Sequence, residues 1–110
     1  MSRFTYAIMT VPKPGREQEW DDWHREHLVP AVLRIPGFVG ADRFRAAKGA
    51  GEGQPCFMTL YGIDTDDIGG ALAELKRRQI AGDLPATDAS DPSKTINWLW
   101  EATTRHVSAD

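Results

Sequence analysis

His24 and His27 stand three residues apart in a stretch that also holds Trp20 and Trp23, and they are two of only three histidines in the chain. An unperturbed imidazole titrates near pH ~6.5, so either ring can take or give a proton close to neutrality. Wound at about 100° per residue, the sequence puts Trp20, Trp23, His24, His27, Leu28, Ala31 and Ile35 on one side of a helix. Asp21, Asp22, Arg25, Glu26 and Val29 fall on its flank and back. His27 is the first candidate for a catalytic acid or base, because its neighbours offer it a partly apolar site. His24 comes second: it can hold a ligand or tune His27 by charge repulsion. The competing reading is a packed core histidine whose ring nitrogen bonds a backbone carbonyl. Pro30 has no N–H to give the carbonyl of Glu26, which leaves such an acceptor available.

Four tryptophans form two sequence pairs, Trp20 with Trp23 and Trp98 with Trp100. Broad indoles stack on planar aromatic ligands and offer an N–H at the rim, so the pairs are candidate walls of a flat binding pocket; the alternative is that they fill the core and a dimer interface. Tyr6 and Tyr61 lie on segments expected to be neighbouring strands. A phenol in a cleft can donate a hydrogen bond to a carbonyl or a developing enolate, or it can simply pack an interface. Asp42, Arg43, Arg45 and Glu101 are explained by edge exposure and cross-strand pairing.

His24 and His27 at this spacing, with His106 or a carboxylate, could begin a metal site, but there is no HExxH motif and only one cysteine, so no metal is expected. A single axial histidine leaves haem as an option; the expectation is that no cofactor is used. Gly49, Gly51 and Gly53 resemble a phosphate loop only superficially, since no helix start follows them, and nucleotide binding is set aside. No serine, threonine or cysteine sits in a nucleophile elbow.

The elements that must position these groups follow from alternation and punctuation. Phe4 to Val11 reads as a strand apolar on both faces, and Pro12, Pro14 and Gly15 end it. Arg16-Glu17-Gln18-Glu19 opens a helix with carboxylates in its first turn, where the helix dipole favours them. Pro30 predicts a kink or restart near Leu28 and Val29, and Pro36-Gly37 ends the helix. Phe38–Arg45 and Cys56–Ile63 read as strands two and three of a long-looped hairpin, joined by the glycine-rich stretch from Ala47 to Gln54. Asp64 to Asp67 offers caps for a second helix carrying Ile68, Ala71, Leu72 and Leu75, with Lys76, Arg77 and Arg78 toward its end. Gly82 to Ser93 reads as a loop and Thr95 to Ala102 as the last strand.

The order βαββαβ folds most simply as a ferredoxin-like sheet of four antiparallel strands, with right-handed crossovers placing both helices on one face. The other face would then expose an apolar patch larger than soluble monomers usually carry. A second copy related by a two-fold axis is the economical cover, so the chain is expected to form a homodimer through its sheet face.

The segments Pro14-Gly15-Arg16-Glu17, Trp20-Asp21-Asp22-Trp23, Glu26-His27-Leu28-Val29-Pro30 and Ile35-Pro36-Gly37-Phe38 resemble the signature of EthD-like dimeric α+β barrel proteins. Tyr61-Gly62-Ile63-Asp64 followed by a helix fits the same pattern. The resemblance implies a ferredoxin-like protomer, a dimeric barrel, and a ligand cleft between helices and sheet. Relatives of that kind include cofactor-free monooxygenases, polyketide cyclases, lactone isomerases, haem-binding proteins and accessory members of degradation pathways, so the resemblance implies no single reaction. A typical member carries an acidic or aromatic residue where this chain has His24, which places more of the implied chemistry on His27.

Size and charge set the outer limits. With 110 residues, 13 basic and 16 acidic side chains and a net charge of -3, the chain holds one core, expected as a single domain over residues 1–110. No block of positive charge suggests nucleic acid or an anionic membrane as partner. No apolar run approaches a membrane span, and the alternating N-terminus lacks a signal-peptide core, so a cytoplasmic protein is expected. Cys56 reads as a buried structural thiol. The functional expectation is a small cofactor-independent enzyme moving a proton on a hydrophobic aromatic or polyketide-like molecule, as an isomerase, cyclase, lyase or cofactor-free monooxygenase. The alternative is a non-catalytic ligand-binding or accessory protein.

Overall fold

The computed structural model describes residues 2–48, 57–104 and 106–109. The glycines at 49, 51 and 53, and Cys56 with its expected burial, lie outside the described residues. Four strands, β1 (Ser2–Thr10), β2 (Phe38–Arg45), β3 (Phe57–Thr65) and β4 (Ile96–Glu101), form one antiparallel sheet in the order β2-β3-β1-β4. The helical elements are α1 (Glu17–Trp23), α2 (Val29–Val32) and α3 (Ile68–Ala81). This is the ferredoxin-like α+β arrangement that the βαββαβ pattern predicts.

Register assigns the faces. Phe4, Tyr6, Ile8 and Thr10 of β1 stand opposite Ile63, Tyr61, Thr59 and Phe57 of β3, and directly opposed residues share a face. Both helical layers pack on that face: Val32, Ile35 and Phe38 meet Tyr61 and Ile63 together with Ala71 and Leu75 of α3 in one buried cluster. Asp67 starts α3 by accepting the Gly70 N–H at 2.9 Å. Gly82, at φ 76°, ends it in the left-handed conformation, with the Asp83 N–H reaching the Arg78 carbonyl at 2.9 Å.

Two local departures from regular pattern decide where side chains point. In β2, Phe38 pairs with Ile63 and Gly40 with Gly62, so Val39 is an extra residue that shifts the register. Beyond this bulge Ala41, Arg43 and Arg45 face the helices, opposite Tyr61, Thr59 and Phe57. In the first helix, the turn over His24–Leu28 is π-helical, and the Val29 N–H bonds the His24 carbonyl. The kink anticipated at Leu28 and Val29 thus takes the form of a widened turn ahead of Pro30, after which α2 resumes.

The loop after α3 folds back along β1. The Asp91 N–H bonds the Val11 carbonyl at 3.0 Å, the Lys13 N–H bonds the Ala89 carbonyl at 2.7 Å, and Arg16 joins Glu19 to Asp88. Ala89 closes a second small core with Trp20 and Phe57. Val11, expected in the first strand, is engaged by this loop instead of the ladder.

Candidate functional site

The widened turn sorts the two histidines. His24 is 2% exposed, whereas His27 is exposed on the helix surface. A π turn advances fewer degrees per residue than an α turn, so three residues beyond His24 the chain has not returned to the buried side. The expectation that both rings share the Trp20 face is therefore corrected: Trp20 and His24 are buried, Trp23 is half-buried and His27 points outward.

His24 enters a polar pocket made by β3 and β2. Its Nε2 lies 3.3 Å from Thr59 Oγ1 and 3.5 Å from the Tyr61 hydroxyl. Arg43 Nε donates to Thr59 Oγ1 at 3.4 Å, and Arg43 Nη1 pairs with Asp21 Oδ1. With Arg43 on its oxygen, Thr59 can direct its own proton at His24 Nε2, which makes that nitrogen the acceptor and leaves the ring proton on Nδ1. Nδ1 is buried with no hydrogen-bond partner, as is Arg43 Nη2. Apolar walls complete the enclosure. Trp20 meets His24 edge to face at 4.6 Å and stacks on Phe57 at 5.2 Å, and the Arg43 guanidinium lies 5.4 Å from the Trp20 ring centroid and 5.7 Å from that of Phe57.

Electrostatics follow from that enclosure. Burial first, then the nearby Arg43 charge, hold His24 down to about 4, with Asp21 pulling the other way. His24 is therefore a neutral imidazole at physiological pH. Burial pushes Tyr61 well above the ordinary phenol range, so its hydroxyl stays protonated and available as a donor. Tyr6, directly opposite Tyr61 and half-buried, is shifted the same way by the same cause.

A cleft of about 510 Å³ opens beside this cluster, between the first helix and the β2 edge. It is lined by Asp21, Arg25, Val29, Ala41, Arg43, Phe44, Arg45 and Phe57. His24 lies behind its wall, reached through Arg43 and Thr59. None of the eight proposed site residues lines this cleft; Arg43 does, and edge exposure does not account for it. Its signal in the sequence is faint, because only the bulge at Val39 turns Arg43 inward.

The two tryptophan pairs are not brought together. Trp98 and Trp100, 64% and 57% exposed with ring centroids 6.4 Å apart, stand opposite Ala7 and Thr5 on the sheet face away from the helices. The idea of one flat pocket walled by both pairs is corrected, since the sheet separates them. His106 is exposed, and among the described residues no group of three or more His, Cys, Asp or Glu side chains is placed to hold a metal ion.

No protein-family model matches the chain. No curated protein matches it either. Solved structures do. The haem degrader MhuD from Mycobacterium tuberculosis, with two haems bound in its active site, superposes with a TM-score of 0.68 at 15% identity, over 94% of this chain and 99% of that one. An EthD family protein from Bacillus halodurans gives 0.57 at 18% identity, over 94% of this chain and all (100%) of that one. SnoaB, a cofactor-independent oxygenase from Streptomyces nogalater, gives 0.57 at 16% identity, over 96% of this chain and 97% of that one. The EthD-like resemblance read from the sequence thus holds at the level of fold, which several chemistries share.

Proposed function

We propose that the protein binds a hydrophobic, ring-bearing small molecule with an enolisable carbonyl or acidic C–H in the cleft beside β2, and transforms it by proton transfer without a resident cofactor. One observation carries this reading: a neutral, buried His24 joined through Thr59 to Arg43 at the wall of a cleft of ligand size. Transfer of the substrate proton to His24 by way of the Thr59 hydroxyl requires the Arg43 side chain to swing off Thr59, which is buried behind it, and the displaced guanidinium stabilises the enolate that forms. In an oxygenase the same carbanion would then react with dioxygen, and the fold likeness to SnoaB supports that branch. His27, on the outer side of the turn, is a proposed alternative proton acceptor.

The MhuD likeness raises haem, and the residues here do not fit it. An axial ligand needs an imidazole nitrogen facing open space, whereas His24 Nε2 faces two hydroxyls in a buried pocket and His27 does not line the cleft.

A panel of enolisable aryl ketones and hydroxylated aromatic polyketides, followed by substrate loss and oxygen uptake, tests the reading. Turnover that falls at least tenfold in His24→Gln and persists in His27→Ala supports it; the reverse pattern transfers the role to His27. Binding without turnover supports the second reading, a non-catalytic ligand-binding protein, which is favoured by the placement of His24 behind the cleft wall.

The homodimer belongs to the same proposal. Ile96, Trp98, Trp100 and Phe44 are exposed on the sheet face that no helix covers. Light scattering after size exclusion should give twice the chain mass; a well-folded monomer at micromolar concentration overturns the dimer. No helix among the described residues is long and apolar enough to cross a membrane.

A further inference from the structure

The cleft carries a charge pattern opposite to that of the chain. The protein has a net charge of -3, yet the cleft lining holds Arg25, Arg43 and Arg45 against the single carboxylate of Asp21. These cations are not equally compensated. Arg25 reaches Asp22 at 2.9 Å and lies within 4 Å of Asp21 and Glu26, at 3.7 and 3.8 Å. Among the described residues Arg43 has Asp21 as its one ion-pair partner, and it keeps a buried Nη2 without a hydrogen bond. Arg45, one strand alternation beyond Arg43 on the same face and opposite Phe57, has no ion-pair partner among the described residues. The apolar part of the lining, Val29, Ala41 and Phe57, lies alongside.

An uncompensated cation next to an aromatic wall favours one ligand chemistry. A flat hydrocarbon body packs against Phe57 and Val29, and an anionic oxygen pair is drawn to Arg45, where a planar guanidinium binds a carboxylate through two parallel hydrogen bonds. We infer that the natural ligand of this cleft is an aromatic anion, with its carboxylate at Arg45 and its ring on the Phe57 side. This deepens the small-molecule reading above and rests on it, since it assigns the chemical class of the molecule held in the same cleft. The anion sits at the Arg45 end, and the reacting carbon then lies toward Arg43. A neutral ring of the same size would gain the apolar contact and lose the charged one.

A matched pair of probes tests this. Naphthoate and naphthylmethanol share a ring system and differ in charge, and quenching of intrinsic tryptophan fluorescence reads the affinity of each for the full-length protein. Naphthoate is expected to bind roughly tenfold more tightly than naphthylmethanol, an advantage that shrinks as salt is raised. Arg45→Gln, at an exposed position where folding is undisturbed, should abolish the difference by weakening naphthoate alone. Equal affinity for both probes in the wild-type protein, or an unchanged preference in Arg45→Gln, overturns the anion assignment and leaves the small-molecule reading standing. Failure of both probes to bind overturns the assignment and the cleft reading together. Arg3→Gln, on β1 outside the cleft lining, is the control that should keep the preference.

Discussion

Strand β3 alternates between two environments. Phe57, Thr59, Tyr61 and Ile63 face the helices and are buried, while Met58 and Leu60 face the other way and are only partly buried. The same division runs across β4, where Trp98 and Trp100 stand on the open side. The covered face owes its order to contacts within one chain. The open face has equally large side chains and, among the described residues, no element to pack against them. The contrast separates the face that the fold covers from the face that it leaves exposed, and variants can probe each side separately.

The largest effect should come from the covered face. Trp20→Ala removes the ring that stacks on Phe57 and meets His24, and should lower unfolding free energy by about 3–5 kcal/mol in urea titrations at every protein concentration. Trp98→Ala should behave differently. Its cost within an isolated protomer is about 0.5 kcal/mol or less, as for other exposed positions, and any larger loss should appear only at concentrations where the wild type self-associates. Equal, concentration-independent losses in the two variants would break the contrast.

The next effect is set by pH. His24 titrates near its unperturbed 6.5 in the unfolded chain and at about 4 in the native one, so between those values the unfolded state binds the extra proton. Stability from this group is therefore intact above pH ~6.5, falls as pH drops toward ~4, and levels off below, a total of roughly 3 kcal/mol. Denaturant titrations of His24→Gln should start from a lower value at pH 7 and lack this decline. A wild-type curve that is flat across the window would mean that the imidazole is already charged in the native protein.

These residues also show what alternation alone conveys. The four strands, the order of the elements and a cap for α3 within Asp64 to Asp67 all follow from residue type and spacing, and β2 matches its expected span of Phe38–Arg45. Geometry that depends on a single inserted residue does not. Without the extra residue at Val39, period-two alternation from Phe38 would send Arg43 to the open face, where an edge charge needs no explanation. Likewise, regular helical spacing carries His27 to the buried side, and only the π turn over His24–Leu28 rotates it out. Both departures are set by packing between distant segments: β2 seating on β3, and Trp20 and His24 seating on Phe57 and Thr59. Pro30 announces a break in the helix near Leu28 but not that it takes the form of a widened turn, and no local pattern announces the bulge at Val39.

The ion pairs supply the finest test of the same contrast, because they sample burial within one helix. Asp21 pairs with Arg43 where both side chains are mostly covered, 23% and 18% exposed, and a double-mutant cycle with Asp21→Asn and Arg43→Gln should give a coupling of about 1–2 kcal/mol. Arg25 pairs with Asp22, three positions before it on the same segment, with 56% and 42% exposure, and there water and salt screen the attraction. Its cycle, run with Arg25→Ala and Asp22→Asn, should give about 0.2–0.5 kcal/mol and fall toward zero in high salt. Equal couplings for the two pairs would mean that Arg43 is solvated much as Arg25 is. The wall between the cleft and His24 would then be open to water, and the imidazole would lose the desolvation that keeps it neutral.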